Sequence, residues 1–69
     1  MLRAGQRVLI DFSTMTLEGV VTRDCADWGS CPVHLVEDGD DTGTEICART
    51  WNADNVAVVE ERTSGSPLP

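Results

Sequence analysis

The residues best equipped for chemistry are three cysteines and one histidine, Cys25, Cys31, Cys47 and His34. Thiolates and imidazoles are the usual ligands of zinc, which takes four of them in a tetrahedron. Here the spacing is Cys-x5-Cys-x2-His, not the closer cysteine pairing of zinc ribbons. Strand register argues the same way. If Glu37 pairs with Thr44 across the Asp38-Gly39 turn, His34 falls opposite Cys47 on one face of a sheet. Cys31, an odd number of positions from His34, then points to the other face. Ligands divided between two faces do not make one site, so no metal is expected. Reading Cys47 and His34 as a nucleophile and its base requires an activated thiol, a cleft and an oxyanion site. A net charge of −7 works against a thiolate. No catalytic residue and no cofactor are expected. Cys25 and Cys31 enclose a loop of five residues. If they lie opposite one another at the ends of adjacent strands, their Cα atoms are about 4.5–5.5 Å apart, within disulfide range. They are the candidate disulfide. The alternative, which a reducing cytosol favours, is two small, partly buried thiols.

The segment Glu37-Asp38-Gly39-Asp40-Asp41 carries acids at alternate positions, as calcium loops do. Counted from Asp38, Gly43 takes the sixth place of an EF-hand loop, but the twelfth is Arg49 where the pattern requires Glu. The segment is better read as a solvated hairpin tip. The aromatic residues are Phe12, Trp28 and Trp51, with no tyrosine. A cage for a methylated cation needs three or four convergent rings and an acid. Phe12 belongs by its spacing to a core face, and one tryptophan would cover an end of the fold. Trp28, between Asp27 and Gly29, is the expected exposed anchor.

These residues must be positioned by strands. Short apolar runs with β-branched enrichment, each ended by polar or glycine-bearing breaks, fill the chain: residues 7–12, 16–24, 33–36, 45–49 and 56–59. In the first, Val8, Ile10 and Phe12 share one face at period two, with Arg7, Leu9 and Asp11 on the other. Ser13-Thr14-Met15 makes a bend. Gly19 lies inside the second run, where glycine marks a bulge or tight bend. Pro32 suits the start of the third strand. Asp38 to Gly43 is the strongest turn signal. Residues 50–55 are too short for an α-helix and fit one 3-10 turn. The expectation is one domain over residues 1–61 and a tail over 62–69 with the composition of a frayed end.

In strand order and in the residues Gly5-x-x-Val8-x-Ile10, Gly19-x-Val21 and Asn55-Val56-Ala57-Val58-Val59, the chain resembles the SH3-like barrel family, which includes Tudor and KOW modules. The likeness covers roughly residues 5–60. It implies an all-β, five-stranded SH3-like small barrel with one 3-10 turn before the last strand. It also implies partner binding rather than catalysis. In that family aromatics from the first loop, the start of the third strand and the turn before the last strand line the partner groove; Phe12, Trp28 and Trp51 lie near those places.

Composition narrows the function classes. Sixty-nine residues make one small domain with a thin core. Twelve acids oppose five scattered arginines, Arg3, Arg7, Arg23, Arg49 and Arg62, with no lysine. Polyanion binding needs clustered cations, so neither nucleic acid nor an anionic membrane is an expected partner. Arginine without lysine resembles the codon bias of GC-rich genomes such as those of actinobacteria and their phages. The N-terminal residues lack an apolar leader and no run is long enough to span a bilayer, which gives a cytoplasmic expectation. The leading expectation is a small acidic, non-enzymatic interaction module. Its surface would combine Trp28, Trp51 and Asp27 with Asp38, Asp40 and Asp41, to be met by a basic protein. The second is a structural subunit, a homo-oligomer or part of a phage assembly, joined through an outer stripe of Val20 and Val36. A distant third is an acidic mimic of DNA.

Overall fold

The computed structural model describes residues 1–59; the expected tail lies outside them. The elements are β1 (Arg7–Asp11), β2 (Thr16–Val21), β3 (Val33–Glu37), β4 (Glu45–Ala48), a 3-10 turn (Thr50–Asn52) and β5 (Asn55–Val59). All pair antiparallel in one sheet of order β4-β3-β2-β1-β5. The first four strands form a meander, and the chain then crosses back through the 3-10 turn to lay β5 beside β1. No ladder joins β4 to β5 among the described residues, so the sheet is not closed and the fold is an all-β sheet rather than a hydrogen-bonded barrel.

Period-two alternation places the core. Val8 and Ile10 of β1, Val21 of β2, Val33 and Leu35 of β3 and Ala48 of β4 are buried, and Leu2 and Cys25 complete the cluster. Full burial of a side chain such as Ile10 or Leu35 contributes about 1.5–3 kcal/mol. Phe12, Leu17, Trp28, Ile46, Ala53 and Val56 pack around this cluster. The outer face carries Val59, Arg7, Val20, Val36 and Glu45 in one cross-strand row, with Ala57, Leu9 and Glu18 in the next.

The predicted register of the β3–β4 hairpin is the observed one: Val36 pairs with Glu45 and His34 with Cys47. Its tip needs backbone that L-residues avoid, and Gly39 and Gly43 supply it at φ 89° and 68°. The bend after β1 closes when the Phe12 amide donates to the Met15 carbonyl at 2.8 Å. Two expectations need correction. The second strand ends at Val21, not Asp24; beyond it the Thr22 amide still donates to His34, and Cys25 makes a single bridge with Leu2. Gly19 is no bulge, since β1–β2 pairing runs through it without interruption. Glycine is required there for a different reason. A Cβ at Gly19 would overlap the Val36 carbonyl oxygen and come within 2.9 Å of Leu35 Cδ1, both on the neighbouring strand β3.

Arg7 sits on the outer face and pairs with Asp38, with Glu18 at 3.7 Å. Half-exposed ion pairs of this kind contribute about 1 kcal/mol or less, so replacing Arg7 with glutamine should lower the melting temperature by only a few degrees. A thermal melt in low and high salt checks this: the difference between the two proteins should shrink as salt rises.

Candidate functional site

An open groove of about 420 Å³ runs between the β1–β2 bend and the corner after β4. Phe12, Ser13, Thr14, Met15 and Leu17 form one wall, and Ala48, Arg49 and Asn52 form the other. These segments come from opposite parts of the strand order, so the sheet folds over its core to bring them together. The amide of Asp54 donates to the Asp11 carbonyl at 2.7 Å and fixes the chain after the 3-10 turn against the end of β1. The floor is apolar. Arg49, Asn52, Ser13 and Thr14 add hydrogen-bonding groups to the lining. Met15 is 51% exposed, and Trp51, between Arg49 and Asn52 in sequence, is 47% exposed. An apolar lining with a few polar groups is the general character of binding clefts.

The sequence-predicted site residues separate into two groups. Trp28 was expected as an exposed anchor, yet it is half-buried and packs on the core. A core this thin leaves one end open, and the largest apolar side chain of the 25–31 loop covers it. The loop is held there by Thr50, a fully buried residue whose Oγ1 donates to the Trp28 carbonyl at 2.6 Å and lies 3.1 Å from that of Cys31. Trp51 follows Thr50 directly, so both tryptophans belong to this end of the molecule, but only Trp51 is exposed. Asp27 is used locally, accepting from Ser30 Oγ at 2.8 Å and from the Gly29 amide at 3.0 Å.

The acidic hairpin tip is anchored elsewhere. Asp38 accepts from Arg7, and its amide donates to Glu18. Asp40 accepts from Thr42 Oγ1 at 2.6 Å and from the Thr42 amide at 3.0 Å, and Asp41 is exposed. Its bonds therefore run to β1 and β2 on the outer face, while those of the tryptophans run to the 3-10 turn. Of the groove residues, Met15, Leu17, Arg49 and Asn52 were not anticipated. The one available signal was Met15, an apolar residue in an otherwise polar bend.

The cysteines are free: Cys25 is buried, and Cys31 and Cys47 are exposed. Cys25 bridges to Leu2, not to Cys31, and its sulfur faces the Cys31 carbonyl at 3.9 Å. Among the described residues no group of three or more His, Cys, Asp or Glu is placed to hold a metal ion. No helix of the described residues is long and apolar enough to cross a membrane.

Hydrogen bonds also set a pH dependence. The Ser30 hydroxyl, then the Gly29 amide, hold the Asp27 carboxyl below its usual range. The side chain of Thr42, then its amide, do the same for Asp40. Both groups favour the charged form in the fold, so their stabilisation is present above the ordinary carboxylate range and is lost as pH falls through the lower folded values. Melting temperature should drop between about pH 4 and pH 2. Replacing Asp27 and Asp40 together with asparagine should flatten that part of the curve; an equally steep curve would remove these two groups from the account.

Comparison with protein-family models, with curated proteins and with solved structures finds no match for this chain.

Proposed function

We propose that this chain is a non-enzymatic protein-interaction module that captures an extended segment of a partner in the groove between the β1–β2 bend and the 3-10 turn. The observation that carries this reading is a groove lined by apolar Phe12, Met15 and Leu17 on one side and by polar Arg49 and Asn52 on the other. An apolar partner side chain fills the floor, and the two polar side chains donate to backbone carbonyls. Trp51, exposed on the same 3-10 turn that supplies Asn52, offers a further apolar contact to the partner beyond the groove lining. A meander whose last strand returns beside the first through one 3-10 turn supports the SH3-like reading, and with it a barrel-like curl of the sheet.

The charge of −7 adds a preference for basic residues flanking the anchor. The exposed carboxylates of Asp11 and Asp54 beside the groove, and of Asp41 on the hairpin, steer encounter and set the on-rate more than the affinity. Selection of peptides from a random display library on the purified protein tests this. Enriched peptides should share an apolar anchor with nearby Lys or Arg. Met15→Ser and Trp51→Ala should each weaken binding by roughly tenfold or more, with unchanged melting curves. Enriched peptides that bind both variants as well as the original would remove the groove from the account. Affinity should fall as salt rises.

A second reading, a subunit of a homo-oligomer, is favoured by a different observation. Leu9, Val20, Val36, Ala57 and Val59 lie together on the outer face of the sheet. Light scattering across a range of concentrations separates the two, since a monomer at all concentrations leaves only the module.

A further inference from the structure

We propose that Cys25 and Cys31 are a thiol–disulfide pair whose oxidation locks the 25–31 loop over the open end of the core. The two residues are separated by a loop already folded back on itself, with the Ser30 and Cys31 amides both donating to the Asp27 carbonyl at 3.0 Å. The buried Cys25 sulfur lies 3.9 Å from the backbone oxygen of Cys31. The Cys31 side chain is free and exposed. Cα separations of about 4.4–6.8 Å satisfy a disulfide, and a turn this tight keeps the two residues near one another. Cys47 is excluded as the partner, because it stands opposite His34 on the outer face while Cys25 is in the core cluster.

Exposure sets the order of events. The Cys31 thiolate attacks a low-molecular-weight disulfide such as oxidised glutathione, forming a mixed disulfide and releasing one small thiol. The Cys25 thiolate then attacks the Cys31 sulfur and releases the second. The two protein thiols lose two electrons and two protons, and the small disulfide takes up both. The consequence is local and structural. Thr50 already holds the Trp28 and Cys31 carbonyls, and the new bond closes the same loop covalently, fixing Trp28 on the core beside the turn that carries Trp51.

The test equilibrates the full chain with graded ratios of oxidised and reduced glutathione, blocks the remaining thiols by alkylation, and cleaves before Asp27. That cut separates Cys25 from Cys31 unless a disulfide joins them. The expected products are the two peptides linked to each other in the original protein and in Cys47→Ser. In Cys31→Ser no such link forms. Oxidation should raise the melting temperature by roughly 10 °C in the first two proteins and leave the third unchanged. The proposal is overturned if Cys25 and Cys31 are both alkylated under oxidising ratios. A stable glutathione adduct on Cys31 with a free Cys25, or a link to Cys47, overturns it equally. Cys31→Ser changes an exposed position, so its result does not depend on disturbing the core.

Discussion

Replacing Gly19 with alanine should remove a large part of the protein's stability. The added Cβ would overlap the Val36 carbonyl oxygen and press on Leu35 Cδ1 at 2.9 Å. A flexible side chain can yield to such a contact, but a carbonyl inside a ladder cannot. Val36 pairs with both Val20 and Glu45, so moving it disturbs the β2–β3 and β3–β4 pairings together. Leu35 is fully buried, so displacing it disturbs the core. Overpacking of this kind, with backbone displacement added, costs about 3 kcal/mol or more. A domain of this size has only about 3–10 kcal/mol to lose. Urea denaturation followed by tryptophan fluorescence should show the midpoint lowered by about one molar or more. A variant whose midpoint stays within a few tenths molar of the original would mean that β2 and β3 do not approach as closely as described.

The next largest effect is expected at Thr50. Valine keeps the shape of threonine and removes only the hydroxyl, so Thr50→Val isolates the bond to the Trp28 carbonyl. It also leaves the Cys31 carbonyl without its neighbour at 3.1 Å. Depriving part-buried carbonyls of their donor costs about 1–3 kcal/mol, which for a domain of this size lowers the melting temperature by roughly 10 °C. Thr50→Ser keeps the hydroxyl and should recover most of that loss. The two variants together separate the hydrogen bond from the packing of the methyl group. Trp28 emission should shift to the red in Thr50→Val as the loop loosens and the ring gains water. An unshifted spectrum with an unchanged melt would show that the loop is held by the packing of Trp28 alone.

What could be read in advance follows from the range over which each interaction acts. Alternation in Val8-Leu9-Ile10 is a local property, and it correctly assigned the buried and exposed faces of β1. The Asp-Gly turn fixed the hairpin register, including His34 opposite Cys47, because a short turn leaves the flanking strands few ways to pair. The 3-10 turn at Thr50–Asn52 followed from a break too short for an α-helix. Errors arose where a distant part of the chain decides. Trp28 looks exposed between Asp27 and Gly29, but Thr50, twenty-two residues away, ties its backbone down and the core takes its ring. Gly19 looks like a bulge, and only the close approach of Val36 and Leu35 on the paired strand β3 shows why glycine is needed. The groove was illegible for the same cause. Its walls are a bend at residues 12–15 and a corner at 48–52, whose meeting depends on how the whole sheet curves.

The acidic residues taught a similar lesson. The sequence joins Asp38, Asp40 and Asp41 to the tryptophans as one acidic surface for a basic partner, and the structure shows the local bonds that two of these acids make. Asp38 is drawn to Arg7 on the outer face, and Asp40 is consumed in turning the hairpin. In the proposed reading the acids contribute a field over the whole molecule, felt before contact, while the groove supplies the contact itself.

The most direct test of the account is an amide chemical-shift titration of the labelled protein with a selected peptide carrying an apolar anchor and basic flanks. The account predicts that the largest shifts map to Phe12, Thr14, Met15, Leu17, Arg49, Trp51 and Asn52, with smaller, salt-sensitive shifts at Asp11 and Asp54. Shifts concentrated instead on Leu9, Val20, Val36 and Ala57, with the groove unmoved, would contradict it.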